Sequence, residues 1–266
     1  MLECCRRVEI RSSPAICWLG SMNFSAVSNK TWIGRLLRAP LQMIPSGTRM
    51  PILQGRLVGK KWIVGSSNHG CWLGSYEYDK QRAFASAVKW GSTVFDVGAH
   101  VGFYTLLASE LVGPEGRVFA FEPLPSNVVL LREHLRINHT RNATVIEAAV
   151  GDHSGVVGFK RGSSTAMGYV SSTGDLEVES VALDELISKQ ELPVPQYVKI
   201  DVEGGEVLVL QGSLGLLKQE HPMLFLATHG PDLHRQCCGL LGSLGYAIRA
   251  LGFESLECAD EIIATF

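Results

Sequence analysis

From residue 93 the apolar positions fall into short continuous runs, and each run is followed by a longer stretch with helical spacing. The runs predict strands at 93–97, 117–121, 143–149, 156–160, 177–182, 196–201, 223–228 and 245–250. The longer stretches predict helices near 101–112, 125–138, 183–188, 204–219 and 231–243. Strands that alternate with helices pair in parallel, so the prediction is an α/β, doubly wound, mostly parallel sheet. The stretch 151–181 breaks this rhythm and reads as an antiparallel hairpin inserted into the sheet.

Upstream the pattern is different. Residues 52–78 alternate over short distances among glycines and read as β hairpins. "DKQRAFASAVKWG" (79–91) reads as a helix with Asp79 as N-cap and Gly91 at its end. "KTWIGRLLRAPL" (30–41) reads as a further helix, broken by Pro40 and Pro45. The first residues contain Arg6, Arg7 and Arg11 but only a short apolar stretch, interrupted by Glu3 and Glu9, so a signal peptide is not predicted. The chain therefore divides into a leader (1–22), an N-terminal β-rich extension (23–92) and a sheet domain (93–266).

Composition narrows the classes. Of 266 residues, 46% are hydrophobic and 19% charged, which allows a large core. The formal net charge is −2 and no basic stripe is visible, so no nucleic-acid partner is expected. Cys4, Cys5, Cys17, Cys71, Cys237, Cys238 and Cys258 form no C-x-x-C pair, which fits reduced thiols and a cytoplasmic location. No run of about 18 apolar residues predicts a membrane-spanning helix.

The first strand of the sheet domain ends in "TVFDVGAHVGFYT" (93–105). Two glycines, Gly98 and Gly102, open a helix, as in a nucleotide-binding βα unit, but their spacing is G-x-x-x-G. A pyrophosphate would sit on that helix N-terminus. Asp96 opposes this, because a carboxylate there repels phosphate and attracts a cation. The second strand ends at Glu122, where an acid hydrogen-bonds ribose hydroxyls. Asp96 and Glu122 together describe an adenosyl cofactor without phosphate, and S-adenosylmethionine, with its ammonium and sulfonium, fits that description.

The segments "FDVGAHVGFYTLLAS", "GRVFAFEPLPSNVVLLREHLRIN", "AAVGD", "VALDEL" and "VKIDVEGGEVLVLQGS" resemble the FkbM family of S-adenosylmethionine-dependent methyltransferases, from about Thr93 to about Gly245. The resemblance implies a Rossmann-like class I methyltransferase fold whose seventh strand is antiparallel, and usually O-methylation of a hydroxyl; it does not fix the acceptor, which is expected to be a sugar or other small-molecule natural product. It also implies that Asp96, Gly98, Ala99 and Gly102 form the methionine-side loop, that Glu122 holds the ribose, and that Ala148 and Ala149 border the adenine; His100, inside that loop, is a further cofactor-binding candidate. His100 departs from the family, which often has asparagine there.

Methyl transfer to a hydroxyl gains from positioning and from a base that takes the proton. "KIDVEGGE" places Asp201 and Glu203 two residues apart, hence on one side of an extended chain. Either could orient the sulfonium or acceptor, take a proton, or help hold a metal; Glu203 could instead cap the next helix. Lys199 is expected on the other face, in a structural role. His229 ends the next strand and is a candidate base. Asp201, Glu203 and His229 could bind a hard divalent ion if they converged, but no metal is predicted. "SSNHGCWLGSYE" (66–77), with His69, Trp72, Tyr76 and Glu77, reads as an acceptor wall or lid, and Ser163, Ser164 and Met167 could close the other side. A nicotinamide-dependent oxidoreductase and a non-catalytic cofactor-binding scaffold remain the rival readings.

Overall fold

A computed structural model describes Leu41 and residues 43–161, 168–170 and 176–266. The expected leader, nearly all of the expected helix at 30–41, and Ser163, Ser164 and Met167 lie outside the described residues.

The extension supplies β1 (Arg49–Pro51) and β2 (Lys61–Ile63), an antiparallel pair with Arg49 opposite Ile63. The expected hairpin continuing to residue 78 is instead α1 (Gly70–Leu73). Next comes α2 (Tyr78–Ala87), whose N-cap is Glu77 rather than Asp79 and which stops short of Gly91. Asp79 lies in the first turn, where its charge faces the positive end of the helix dipole.

The sheet domain then runs β3 (Thr93–Val97), α3 (Phe103–Val112), β4 (Arg117–Phe121), α4 (Pro125–Ile137), β5 (Ala143–Ile146) and β6 (Ala149–Val150). It continues with β7 (Gly155–Arg161), β8 (Gly168–Val170), β9 (Leu176–Val181), α5 (Leu183–Ser188), β10 (Tyr197–Ile200), α6 (Glu206–Gln211) and α7 (Leu214–Gln219). The described chain ends with β11 (Met223–Ala227), α8 (Pro231–Ser243), β12 (Ala247–Ala250) and β13 (Glu261–Thr265).

Seven strands form the main sheet in the order β12-β13-β11-β10-β3-β4-β5. From β11 to β5 neighbours are parallel, while β13 runs antiparallel to both β11 and β12. The expected mostly parallel, doubly wound sheet is therefore present. The reversed strand is β13, which the hydrophobic pattern did not reveal.

The described strands β6 to β9 enter no part of this sheet. They build a second, four-stranded sheet in the order β6-β9-β7-β8. The single helix expected over 204–219 is two, α6 and α7, broken around Gly212 and Ser213.

Central strands are covered on both faces. All four residues of β10 are buried, as are the last four of β3, β4 and β11. Alternation sends side chains to two cores. Val94 and Phe225 pack with Trp62, Phe84, Tyr104 and Leu107 on the face that the extension covers. Phe95, Leu224 and Leu226 pack with Leu210, Leu217 and Leu241 on the other. Burial of these side chains is worth roughly 1.5–3 kcal/mol each before the ordering cost.

The chain winds outward from β3 through β4 to β5, then returns to the far side of β3 with β10. The reversal opens a crevice at the carboxyl ends of β3, β4 and β10, where such sheets bind ligands. No helix among the described residues is long and apolar enough to cross a membrane.

Candidate active site

The turn after β3 is held by its own backbone. Gly98 and Ala99 both donate N–H bonds to the Phe121 carbonyl, at 3.0 and 2.9 Å. The His100 N–H donates to Glu122 Oε2 at 2.8 Å. Gly98 has φ +74°, and a Cβ there would meet the Asp201 carbonyl oxygen at 2.0 Å, so the end of β10 crosses where a side chain would stand. Gly102 has φ +93°, and its missing side chain admits Leu131 of α4 rather than a strand.

His100 has φ +51°. Asparagine, aspartate and histidine enter this left-handed region more readily than other side chains, which accounts for a histidine where the family often has asparagine.

The extension clamps this turn from behind. His134 donates from Nδ1 to the Val101 carbonyl at 2.7 Å and accepts at Nε2 from the Ile63 N–H at 3.1 Å, so its tautomer is fixed. Its ring stacks on Trp62 with centroids 3.9 Å apart. Burial pulls its pKa down to about 4, so it stays neutral.

The crevice contains a cavity of about 240 Å³. One end is lined by Phe121, Glu122, Leu124, Asn127, Ala148, Ala149 and Phe159. Glu122 is 5% exposed and accepts from three donors: Leu124 N–H and Asn127 Nδ2 at Oε1, both 3.0 Å, and His100 N–H at Oε2. Burial raises its pKa, against the pull of those bonds.

Gly98, Ala99 and His100 line the middle. His100 Nε2 is buried without a hydrogen-bond partner among the described residues. Burial, then Lys199, lowers the pKa of this ring.

Lys199, Asp201, Val202, Glu203 and Gly205 line the other end. Its wall is completed by Ser67, Cys71, Tyr76, Phe103 and Tyr104. The expected wall at 66–77 is thus partly present: Ser67, Cys71 and Tyr76 face the cavity, whereas Trp72 is buried in the core and its Nε1 donates to His69 Nδ1 at 3.1 Å.

Three expectations need correction. Asp96 does not line the cavity. It is 1% exposed and accepts from Thr105 Oγ1 at 2.7 Å, while its Oδ1 lies 3.2 Å from Lys199 Nζ without a well-aligned hydrogen bond. Lys199 does not point away. The strand period of two puts it on the face of Asp201, and it donates to the Gly98 carbonyl at 2.9 Å. Burial opposes its charge, but Asp96 and Asp201 together raise its pKa.

His229 does not line the cavity either, and its surroundings favour the protonated ring, which opposes a role as base. Its Nδ1 bonds Glu206 Oε1 at 2.5 Å, which raises its pKa to about 9 despite burial. Its Nε2 stands 3.5 Å from Glu203 Oε2 and 3.9 Å from Asp201 Oδ1. The three predicted catalytic residues are therefore brought together, with the histidine among three carboxylates, Glu206 at Nδ1 and Glu203 and Asp201 at Nε2. Glu203 does not cap α6; Glu206 accepts the Gly204 N–H at 3.2 Å instead.

Asp201 itself faces Lys80 Nζ at 3.3 Å and Lys199 Nζ at 3.6 Å through Oδ2. Burial works against its charge, but Lys80, Lys199 and His229 hold its pKa well below the usual carboxylate value. Sequence reasoning missed Lys80, Glu206 and Glu261. The signal for Glu206 was the last letter of "KIDVEGGE"; Lys80 and Glu261 carry none, since they reach the site only through the fold. Among the described residues no group of three or more His, Cys, Asp or Glu side chains is arranged to hold a metal ion.

Known proteins resemble this chain in sequence. The model of the methyltransferase FkbM domain matches residues 96–250, more than half of the chain. The hexuronic acid methyltransferase AglP of Haloferax volcanii is 32% identical over 160 residues, which cover 59% of this chain and 64% of that protein. The 31-O-demethyl-FK506 methyltransferase FkbM of Streptomyces tacrolimicus is 27% identical over 208 residues, 65% of this chain and 77% of that one. A crystal structure of methyltransferase FkbM from Methylobacillus flagellatus shares 20% identity at a TM-score of 0.49, covering 66% of this chain and 43% of that chain, a likeness too loose to add to the family match. The match covers more than half of the chain and includes Gly98, Glu122, Asp201 and Glu203 of the crevice, so the chain belongs to the FkbM-domain family of methyltransferases.

Proposed function

We propose that the protein moves the methyl group of S-adenosylmethionine to a hydroxyl of a small, sugar-like acceptor. The observation that carries this reading is one cavity with a hydrogen-bonded carboxylate, Glu122, at one end and a pair of carboxylates, Asp201 and Glu203, at the other. The residues fit the cofactor. The N–H groups of Gly98, Ala99 and His100 already donate inside the protein, which leaves those three no role in cradling a pyrophosphate. Glu122 is fixed where it would accept ribose hydroxyls, beside an apolar lining for adenine at Ala148 and Ala149. Gly98, Ala99 and His100 would border the methionine part. S-adenosylmethionine supplies a methyl group already activated by its sulfonium.

This chain's own residues would do the rest. Asp201, kept ionised, supplies negative charge beside a cationic cofactor. Glu203 stands where it could accept the hydroxyl proton. His229, whose pKa its bond to Glu206 raises to about 9, would offset the charge of both carboxylates from 3.5 and 3.9 Å. Asp96 acts one layer deeper, through Lys199. A sugar acceptor is supported by the relative named for hexuronic acid and by a wall that mixes hydroxyl and aromatic groups, Ser67, Tyr76 and Phe103.

Calorimetry with S-adenosylmethionine and with NAD, followed by turnover on a panel of hydroxylated acceptors that includes hexuronic acids, tests the reading. We expect cofactor binding and transfer to at least one acceptor. Binding of NAD alone would overturn it, and cofactor binding with no turnover on any acceptor would favour a scaffold.

A further inference from the structure

We propose that Lys80, brought in by α2, is a positioning residue that holds the Asp201 carboxylate at the cavity wall, and that Glu261 of β13 holds the lysine in turn. Both lie outside the matched stretch of 96–250, one on each side of it. The proposal rests on the methyltransferase reading only for its catalytic consequence.

The geometry is that of a deliberate link. The Lys80 side chain is 2% exposed, and an ammonium buried that deeply is strongly disfavoured unless it is paired. Glu261 Oε1 alone, at 2.7 Å, would pair it. Yet the same Nζ also reaches Asp201 Oδ2 and Glu77 Oε2, each at 3.3 Å, and lies 5.3 Å from the centre of the Tyr104 ring.

Lys199 is a poor substitute. It is already shared between Asp96 and the Gly98 carbonyl, and it stands farther from Asp201, at 3.6 Å. His229 faces the other oxygen, Oδ1, at 3.9 Å. Without Lys80, one oxygen of Asp201 would be left near two further carboxylates, Glu77 and Glu261. The carboxylate would then turn or take up a proton, and either would weaken its interaction with a cationic cofactor. Asp201 is ionised in the intact network because Lys80, Lys199 and His229 outweigh its burial.

The test is the Lys80→Met variant of the full chain, with the side-chain carboxyl of Asp201 followed by carbon NMR as pH is lowered and its signal assigned by Asp201→Asn. In the wild type this carboxyl should stay ionised deep into acid. In Lys80→Met its midpoint should rise by about one pH unit or more. The kcat for methyl transfer should fall about tenfold or more at neutral pH, with the acid limb of its pH profile moved upward, while KM for the acceptor changes little. Lys80→Arg should restore both. If Lys80→Met does not fold, Lys80→Met/Glu261→Gln removes the lysine with its nearest carboxylate and carries the same titration.

An Asp201 titration unchanged in the folded variant overturns the proposal, as does a kcat loss that Lys80→Arg rescues without any change in that titration. A shifted titration in a protein that methylates nothing would overturn the methyltransferase reading and leave the link between Lys80 and Asp201 standing.

Discussion

Glu122 has little freedom left: it is almost wholly enclosed, and protein donors meet both of its oxygens. Glu122→Gln keeps its shape but turns an NH₂ group toward one of those donors. We expect cofactor affinity to fall by about 1–3 kcal/mol, the size of a lost charged hydrogen bond, with the fold kept; unchanged affinity by calorimetry would refute the ribose assignment. Gly98→Ala should do more harm. Its Cβ would overlap the Asp201 carbonyl in a left-handed backbone, so a stability loss of about 2–4 kcal/mol is expected in urea unfolding. His229 gives a pH signature. Its pKa is near 6.5 when unfolded and about 9 when folded, so the folded state binds its proton more tightly. The stabilisation from its pairing is complete below about pH 6.5 and is lost as pH rises through about 9. The stability gap between wild type and His229→Gln should therefore narrow between about pH 6 and pH 9.5. At this scale Glu122 was legible from its position at a strand end. The place of Lys199 was legible too, from the period of two, but it was read on the wrong face. Asp96 was readable as an acid near the site but not as one turned away from it, because that depends on Thr105 and Lys199.

Among the elements, β2 and α4 act as a pair on the cofactor turn. The Ile63 N–H holds His134, and His134 holds the Val101 carbonyl. Ile63→Pro removes the donor without touching the cavity. Hydrogen exchange should then show faster opening of the turn at 98–102, and cofactor affinity should fall several-fold, because ordering the turn would be left to the ligand. Protection unchanged at those amides would show that the clamp is idle. The βα rhythm from β3 to α4 was legible because apolar runs and helical spacing agree there. It failed where tertiary packing decides. The chain at 70–73 forms a helix despite its strand-like alternation, because Cys71 and Trp72 bury one turn against the core. β13 escaped notice because no crossover helix precedes a strand that runs the other way.

For the molecule as a whole, the site is joined across long separations: Lys80 to Asp201 spans 121 positions and Lys80 to Glu261 spans 181. No local pattern records such a contact, and that is why the cofactor end of the site could be read and the charge network could not. A ligand that seats in the crevice should stabilise all that meets there. S-adenosylmethionine at about a hundred times its Kd should add about 2.7 kcal/mol, seen as a raised Tm, whereas NAD should leave Tm unchanged.

The placement of β13 also sets an order of events during folding. It follows β12 in sequence but lies between β11 and β12 in space, and among the described residues β12 has no other strand beside it. On a chain emerging from the ribosome, β12 can pack through Ile248 and Ala250 on the core, but it has no strand to pair with until residues 261–265 arrive. Lys80, made nearly two hundred residues earlier, meets Glu261 in that same step. Inserting β13 into the sheet and bringing Glu261 to the buried lysine are thus one step, and the link from β13 through Lys80 to Asp201 is incomplete on a sheet that lacks it.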